Sequence, residues 1–187
     1  MFKAILDMIM GLFDDSVKED PMPGWPVSED KPEPEPFKVH DLRGQLTTHP
    51  TRKWGTRSLD NLEHIAVHHV GSANATFESI AKYHSMPGPQ NHLSAKGAPG
   101  IAYHYGIDRD GECYHLNNDS ALCWHVASRN GKALGVLVLC DASSETHEGS
   151  EEPTEEQLKA LPKLLDYLKE KYPQVGPLGH CELATAT

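Results

Sequence analysis

Seven residues, Ile65-Ala66-Val67-His68-His69-Val70-Gly71, set the terms for the rest of the chain. An apolar, β-branched run leads straight into two histidines and a glycine. That pattern describes a buried strand opening into a loop. A single buried histidine is usually a core residue with its hydrogen bonds satisfied. Two at a strand end also suit metal binding, because neutral imidazole is a common zinc ligand near neutral pH.

The remaining punctuation builds elements around that strand. Thr76 is placed to cap a helix running to His84, with Phe77, Ile80 and Tyr83 or His84 on one face. Pro87-Gly-Pro89 stops it. Ile101 to Ile107 alternates as a strand, Asp108-Arg-Asp-Gly111 reads as a hairpin turn, and Glu112 to Leu116 returns. The apolar run Ala133 to Cys140 has the composition of a central strand buried on both faces. Thr154 and Gln157 occupy capping-box positions for a helix whose buried stripe is Leu158, Leu161, Leu165 and Leu168. Pro162 lies inside that stripe, so a kink or local break is expected there. A short strand over Val175 to Leu178 then delivers Gly179-His180-Cys181-Glu182. Strands and helices alternate loosely, which predicts an α/β fold with a mixed central sheet flanked by helices.

The 187 residues divide by composition. Residues 1–14 carry Phe2, Ile5, Leu6, Ile9, Leu12 and Phe13 at helical spacing, an amphipathic helix too short to be stable alone. It needs cover from the domain, another protein or a membrane surface. Residues 15–38 are rich in proline and acid, a semi-rigid linker. Most of the formal charge of −10 sits near that linker, where eight acids between Asp14 and Glu35 face two lysines, a net of −6. The charge therefore says little about the folded part, residues 39–187. No basic surface points to nucleic acid. No apolar run is long enough to span a membrane, and the start lacks the cleavage site of a signal peptide. The four cysteines, Cys113, Cys123, Cys140 and Cys181, match neither a zinc-knuckle spacing nor a disulfide framework. They read as reduced thiols of a protein made in the cytoplasm.

Four stretches then fall into one order: the strand with His68-His69; Gly100 to Gly111 with Tyr103-His104; Trp124-His125 followed by Asn130 and Leu134-Gly-Val136; and Leu178-Gly-His-Cys-Glu-Leu183. In this order they resemble the zinc-dependent N-acetylmuramoyl-L-alanine amidases, whose fold is shared by phage lysozyme-type amidases and peptidoglycan-recognition proteins. The likeness covers Val39 onward. Arg43-Gly44-Gln45-Leu46 and His49-Pro50 look like prophage members of the group.

The resemblance implies a zinc cleft at one sheet edge, with His68 as first ligand and His180 as second. It makes Tyr103 the residue that orients water or stabilises the developing oxyanion. Trp124, His125 and Asn130 are implied to contact or shape the substrate groove, and His69 and His104 to be structural. Leu137 stands where some relatives carry glutamate, which suits the tyrosine-dependent, lysozyme-type branch. The family's third ligand, a cysteine or aspartate shortly after the second histidine, is not found before Thr187, and Cys181 is a poor substitute. The expectation is therefore a catalytic domain truncated at its C-terminal end. The implied function is hydrolysis of the amide between the muramoyl lactyl group and L-alanine of peptidoglycan. The implied setting is an endolysin acting as a monomer on the wall after release from the cytoplasm. A peptidoglycan-binding module without activity is the alternative.

Overall fold

The computed structural model describes residues 36–72, 74–142 and 152–185. The amphipathic helix expected over 1–14, most of the linker and the side chain of Cys181 lie outside the described residues.

A six-stranded mixed sheet is the frame. Its strands are β1 (Val39–Asp41), β3 (His64–His69), β4 (Tyr105–Ile107), β5 (Cys113–His115), β7 (Ala133–Val138) and β8 (Gly176–Gly179). Their order across the sheet is β1-β5-β4-β7-β3-β8. Only the β4–β5 hairpin is antiparallel; β1 on β5, β4 on β7, β7 on β3 and β3 on β8 all run parallel. A separate ribbon pairs β2 (Gly55–Thr56) with β6 (Ala121–Leu122). The hairpin turns at Gly111, whose φ of 80° is open to glycine at little cost.

The central strands β3 and β7 obey the two-residue alternation of a pleated sheet. Ile65 and Val67 pair in register with Leu134 and Val136, and all four face α2 (Glu155–Lys171). Ala66 and His68 pair with Gly135 and Leu137 on the opposite face, where α1 (Phe77–Ser85) packs through Phe77, Ile80 and Ala81. Both helices start on complete capping boxes, Thr76 with Ser79 and Thr154 with Gln157.

The break expected at Pro162 does not occur; α2 is continuous from Glu155 to Lys171. A proline inside a helix costs about 3 kcal/mol. Leu161, Leu164, Leu165 and Leu168 are all buried in the core on that helix. Each such side chain contributes about 1.5–3 kcal/mol on leaving water, so packing outweighs the lost hydrogen bond. Two further expectations shift. The strand before the hairpin is limited to Tyr105–Ile107, and the last strand runs over Gly176–Gly179 in place of Val175 to Leu178, with His180 opening a short helix, α3 (His180–Thr185). No helix among the described residues is long and apolar enough to cross a membrane.

Candidate functional site

Sheet register brings the first two site residues together. β3 and β8 run parallel with Val67 opposite Gly179, so the next residues along each chain, His68 and His180, emerge side by side at the sheet edge. Their ring centroids are 4.7 Å apart. Glu182 holds the turn into α3 by accepting the Gly179 N–H at 2.9 Å. His68 is buried while His180 is exposed. Burial, and then the neighbouring His180, His69 and His104, hold the His68 pKa well below its ordinary value, so this imidazole is neutral at physiological pH.

Tyr103 joins them from the segment ahead of β4, its ring centroid 5.0 Å from that of His68. Asn117 fixes the segment by donating through Nδ2 to the carbonyls of Ile101 and Tyr103, at 2.7 and 2.8 Å. Burial pushes the Tyr103 hydroxyl up to about 12, so it remains a proton donor at neutral pH. Leu137, fully buried, pairs in register with His68 and leaves no carboxylate there.

His125 sits deep in the site, against the inner side of His68. It is 7% exposed and lies beneath His68, with its Nδ1 3.1 Å from His68 Nε2 and its own Nε2 3.1 Å from the Ala133 carbonyl oxygen. The ring can reach that depth because residue 135 on β7 is glycine. Asn130 shapes the loop from within: its Oδ1 accepts the backbone N–H groups of His125 and Val126 at 2.9 and 2.7 Å. Trp124 is half-buried, edge-on to Trp54 at 5.4 Å, with the Arg52 guanidinium 5.1 Å from its ring centre.

Behind this row stands His104, fully buried. Its Nδ1 accepts the Gly135 N–H at 2.9 Å and its Nε2 lies 2.9 Å from the Ala121 carbonyl oxygen. Nε2 must therefore carry the proton, and the Arg57 Nη2 lying 3.0 Å from it is a neighbour rather than a donor to it. Burial, then Arg57, lower the His104 pKa to about 3, which fits a structural residue. Arg57 spends its own donors on the carbonyls of Asp119, Asn130 and Ala133.

A cavity of about 600 Å³ opens beside Tyr103, bordered by His69, Ser72, Ser79, Tyr83, His84 and His92 among others. The last three carried no functional expectation. His84 shares the buried face of α1 with Ile80, one turn apart, and a polar residue on such a face was the available signal. Burial first, and His92 second, lower its pKa to about 4.

The donor chemistry suits zinc in kind: two imidazoles, one of them buried and neutral, stand together beside Tyr103. Among the described residues no group of three or more histidine, cysteine, aspartate or glutamate side chains could hold a metal ion. The pair would supply two of the three or four protein ligands such a site uses.

The mixed six-stranded sheet and its flanking helices define the class of folds shared by peptidoglycan amidases and peptidoglycan-recognition proteins. A family model described as N-acetylmuramoyl-L-alanine amidase matches residues 58–187, and the chain belongs to that family. Among solved structures, the Ph2119 endolysin from the Thermus scotoductus MAT2119 bacteriophage is similar with a TM-score of 0.60 and 23% identity, covering 80% of this chain and 89% of that one. The endolysin amidase LysCS from Clostridium intestinale URNW gives 0.54 and 22% over 80% and 84%. Drosophila peptidoglycan recognition protein SD gives 0.59 and 18% over 80% and 87%. At these identities the likeness is one of fold. No curated protein matches the chain.

Proposed function

We propose that this chain hydrolyses the amide between the lactyl group of N-acetylmuramic acid and L-alanine in peptidoglycan, with zinc held by His68 and His180. The observation that carries the reading is the convergence of His68, His180 and Tyr103 from three distant parts of the sequence onto one sheet edge. Bound zinc would supply an acidified water and a polarised carbonyl. The chain's own residues do the rest. His68, neutral through burial, keeps a lone pair for a metal. Tyr103, protonated at neutral pH, donates where negative charge develops on the carbonyl oxygen. The adjoining cavity, with its serines, histidines and Tyr83, offers hydrogen bonds to a stem peptide. Trp124 gives an apolar face for sugar, and Asn130 sets the loop that carries it.

We extend the proposal to the whole chain. Residues 39–187 are the catalytic unit, 1–14 an amphipathic attachment to a membrane surface or a protein, and 15–38 the tether. The setting we favour is an endolysin, made in the cytoplasm and acting as a monomer on the wall after release. The buried thiols Cys113 and Cys123, the first pushed up to about 12 by burial, suit synthesis in a reducing compartment.

The second reading, a peptidoglycan-binding module without activity, draws on the missing third donor among the described residues. One experiment separates the two. Isolated cell walls are incubated with the full chain and the new amino termini are identified. The amidase reading expects free L-alanine termini whose appearance stops with a chelator and resumes with zinc. Retention on walls with no release of stem peptide would replace it with the binding reading.

A further inference from the structure

We infer that His125 is a positioning residue that fixes the tautomer of His68, keeping the proton on Nε2 and leaving Nδ1 as the nitrogen for a metal. The inference deepens the zinc reading above and rests on it for the role of Nδ1, but its structural half stands on hydrogen-bond logic alone.

The Ala133 oxygen can only accept, so the His125 Nε2 at 3.1 Å must donate. A neutral imidazole has one N–H, which leaves His125 Nδ1 as an acceptor. His68 Nε2, 3.1 Å away, must then be the donor between the two rings. His68 has spent its proton on His125, and its remaining nitrogen, Nδ1, carries the lone pair. A single main-chain oxygen thus dictates the protonation pattern of two rings in series. Histidines that bind metals are commonly held this way, by an acceptor for the second ring nitrogen.

The surroundings leave His125 little freedom to do otherwise. A Cβ at Gly135 would sit 2.9 Å from both Cγ and Nδ1 of the ring, so β7 is shaped to admit it. Asn130 pins the His125 backbone N–H. Ala127, two residues on, has a φ of 47°, and among the described residues it is the one non-glycine residue in that region. Strain of this kind persists where the surrounding structure over-determines a conformation. His104 closes the back of the row, its ring 5.5 Å from that of His125 and nearly perpendicular to it.

The test reads ring nitrogens directly. The full chain, labelled with 15N-histidine and stripped of metal, is examined by long-range 1H–15N correlation, together with His125→Ala and His125→Asn, and each is titrated with zinc. The expected result is a His68 protonated on Nε2 in the metal-free wild type. His125→Ala should mix the tautomers and weaken zinc binding by about 10- to 100-fold. His125→Asn, whose Oδ1 can accept in place of Nδ1, should restore both to near the wild-type values. Protonation of His68 on Nδ1, an unchanged tautomer in His125→Ala, or zinc bound directly to a His125 nitrogen would overturn the inference. A wild type that takes up no zinc would instead sink the proposed function, while the metal-free tautomer would still decide the role of His125.

Discussion

Gly135 and His125 fit as floor and occupant: the imidazole lies where any side chain at 135 would have to be, with Cγ and Nδ1 both 2.9 Å from a Cβ built there. The neighbouring atoms belong to a ring tethered at both nitrogens, so it cannot swing aside cheaply. Gly135→Ala should therefore destabilise the protein by about 1–3 kcal/mol, the usual cost of overpacking a core. It should also weaken zinc binding, because the displaced ring withdraws from His68. Chemical denaturation and a zinc titration of the same variant check both. Wild-type values in both would mean that the ring has room the structure does not give it.

Tyr103→Phe removes one hydroxyl from a half-buried ring and keeps the contact with His68. Loss of a preorganised donor at a developing oxyanion typically costs about 100- to 1,000-fold in turnover. Peptidoglycan hydrolysis should fall by that amount while thermal stability and binding to walls stay as in the wild type. A variant with full activity would assign Tyr103 to packing.

Asp119 ties the start of β6 to the end of α2 by accepting from His115 Nε2, Lys171 Nζ and Tyr172 Oη at 2.9, 2.7 and 2.7 Å. Burial alone would raise its pKa, but these donors outweigh burial and hold the carboxyl well below the usual range. An unfolded aspartate titrates near about 3.9. The ionised carboxylate therefore stabilises the fold above that pH, and the contribution fades as pH falls below it. Asp119→Asn should lose about 1.5–3 kcal/mol at pH 7, the range for hydrogen bonds to a charged group. Its stability should also decline less steeply than the wild type's below pH ~4. Urea unfolding across the acid range reads both effects, and parallel curves would exclude Asp119 as the source.

Arg57 donates from its half-buried guanidinium to the carbonyls of Asp119, Asn130 and Ala133, binding the β2–β6 ribbon to the loop that carries His125. An ammonium cannot reproduce that planar fork. Arg57→Lys should cost about 1–3 kcal/mol through carbonyls left unsatisfied. Because Ala133 is one of them, the variant should also loosen His125. Amide hydrogen exchange over residues 124–134 should speed up, and unchanged exchange there would confine the role of Arg57 to the ribbon.

The parts of this fold that a reader of the sequence could find are those whose signal is local. β3 announces itself by its β-branched run, α1 and α2 by their capping boxes and apolar stripes, and the β4–β5 hairpin by Asp110-Gly111. β1, β2 and β6 span two or three residues each, too few for any periodicity. α3 is six residues long and hides behind a glycine-rich strand end. His68, His180 and Tyr103 are grouped in the sequence only by the family resemblance, and the register of β3 on β8 gives the physical reason the two histidines meet. The depth of His125 was not legible, because it depends on an absent side chain at Gly135, ten residues along and on another element. Likewise Pro162 signals a break locally, and the leucines packed under α2 overrule it.

The account stands on a metal shared by His68 and His180, and zinc content measures this directly. Purified full-length chain, dialysed against buffer with trace zinc, should hold one zinc per molecule, and His68→Ala and His180→Ala should each hold none while remaining folded by circular dichroism. A wild type without zinc, or a folded His180→Ala that keeps it, would contradict the central claim.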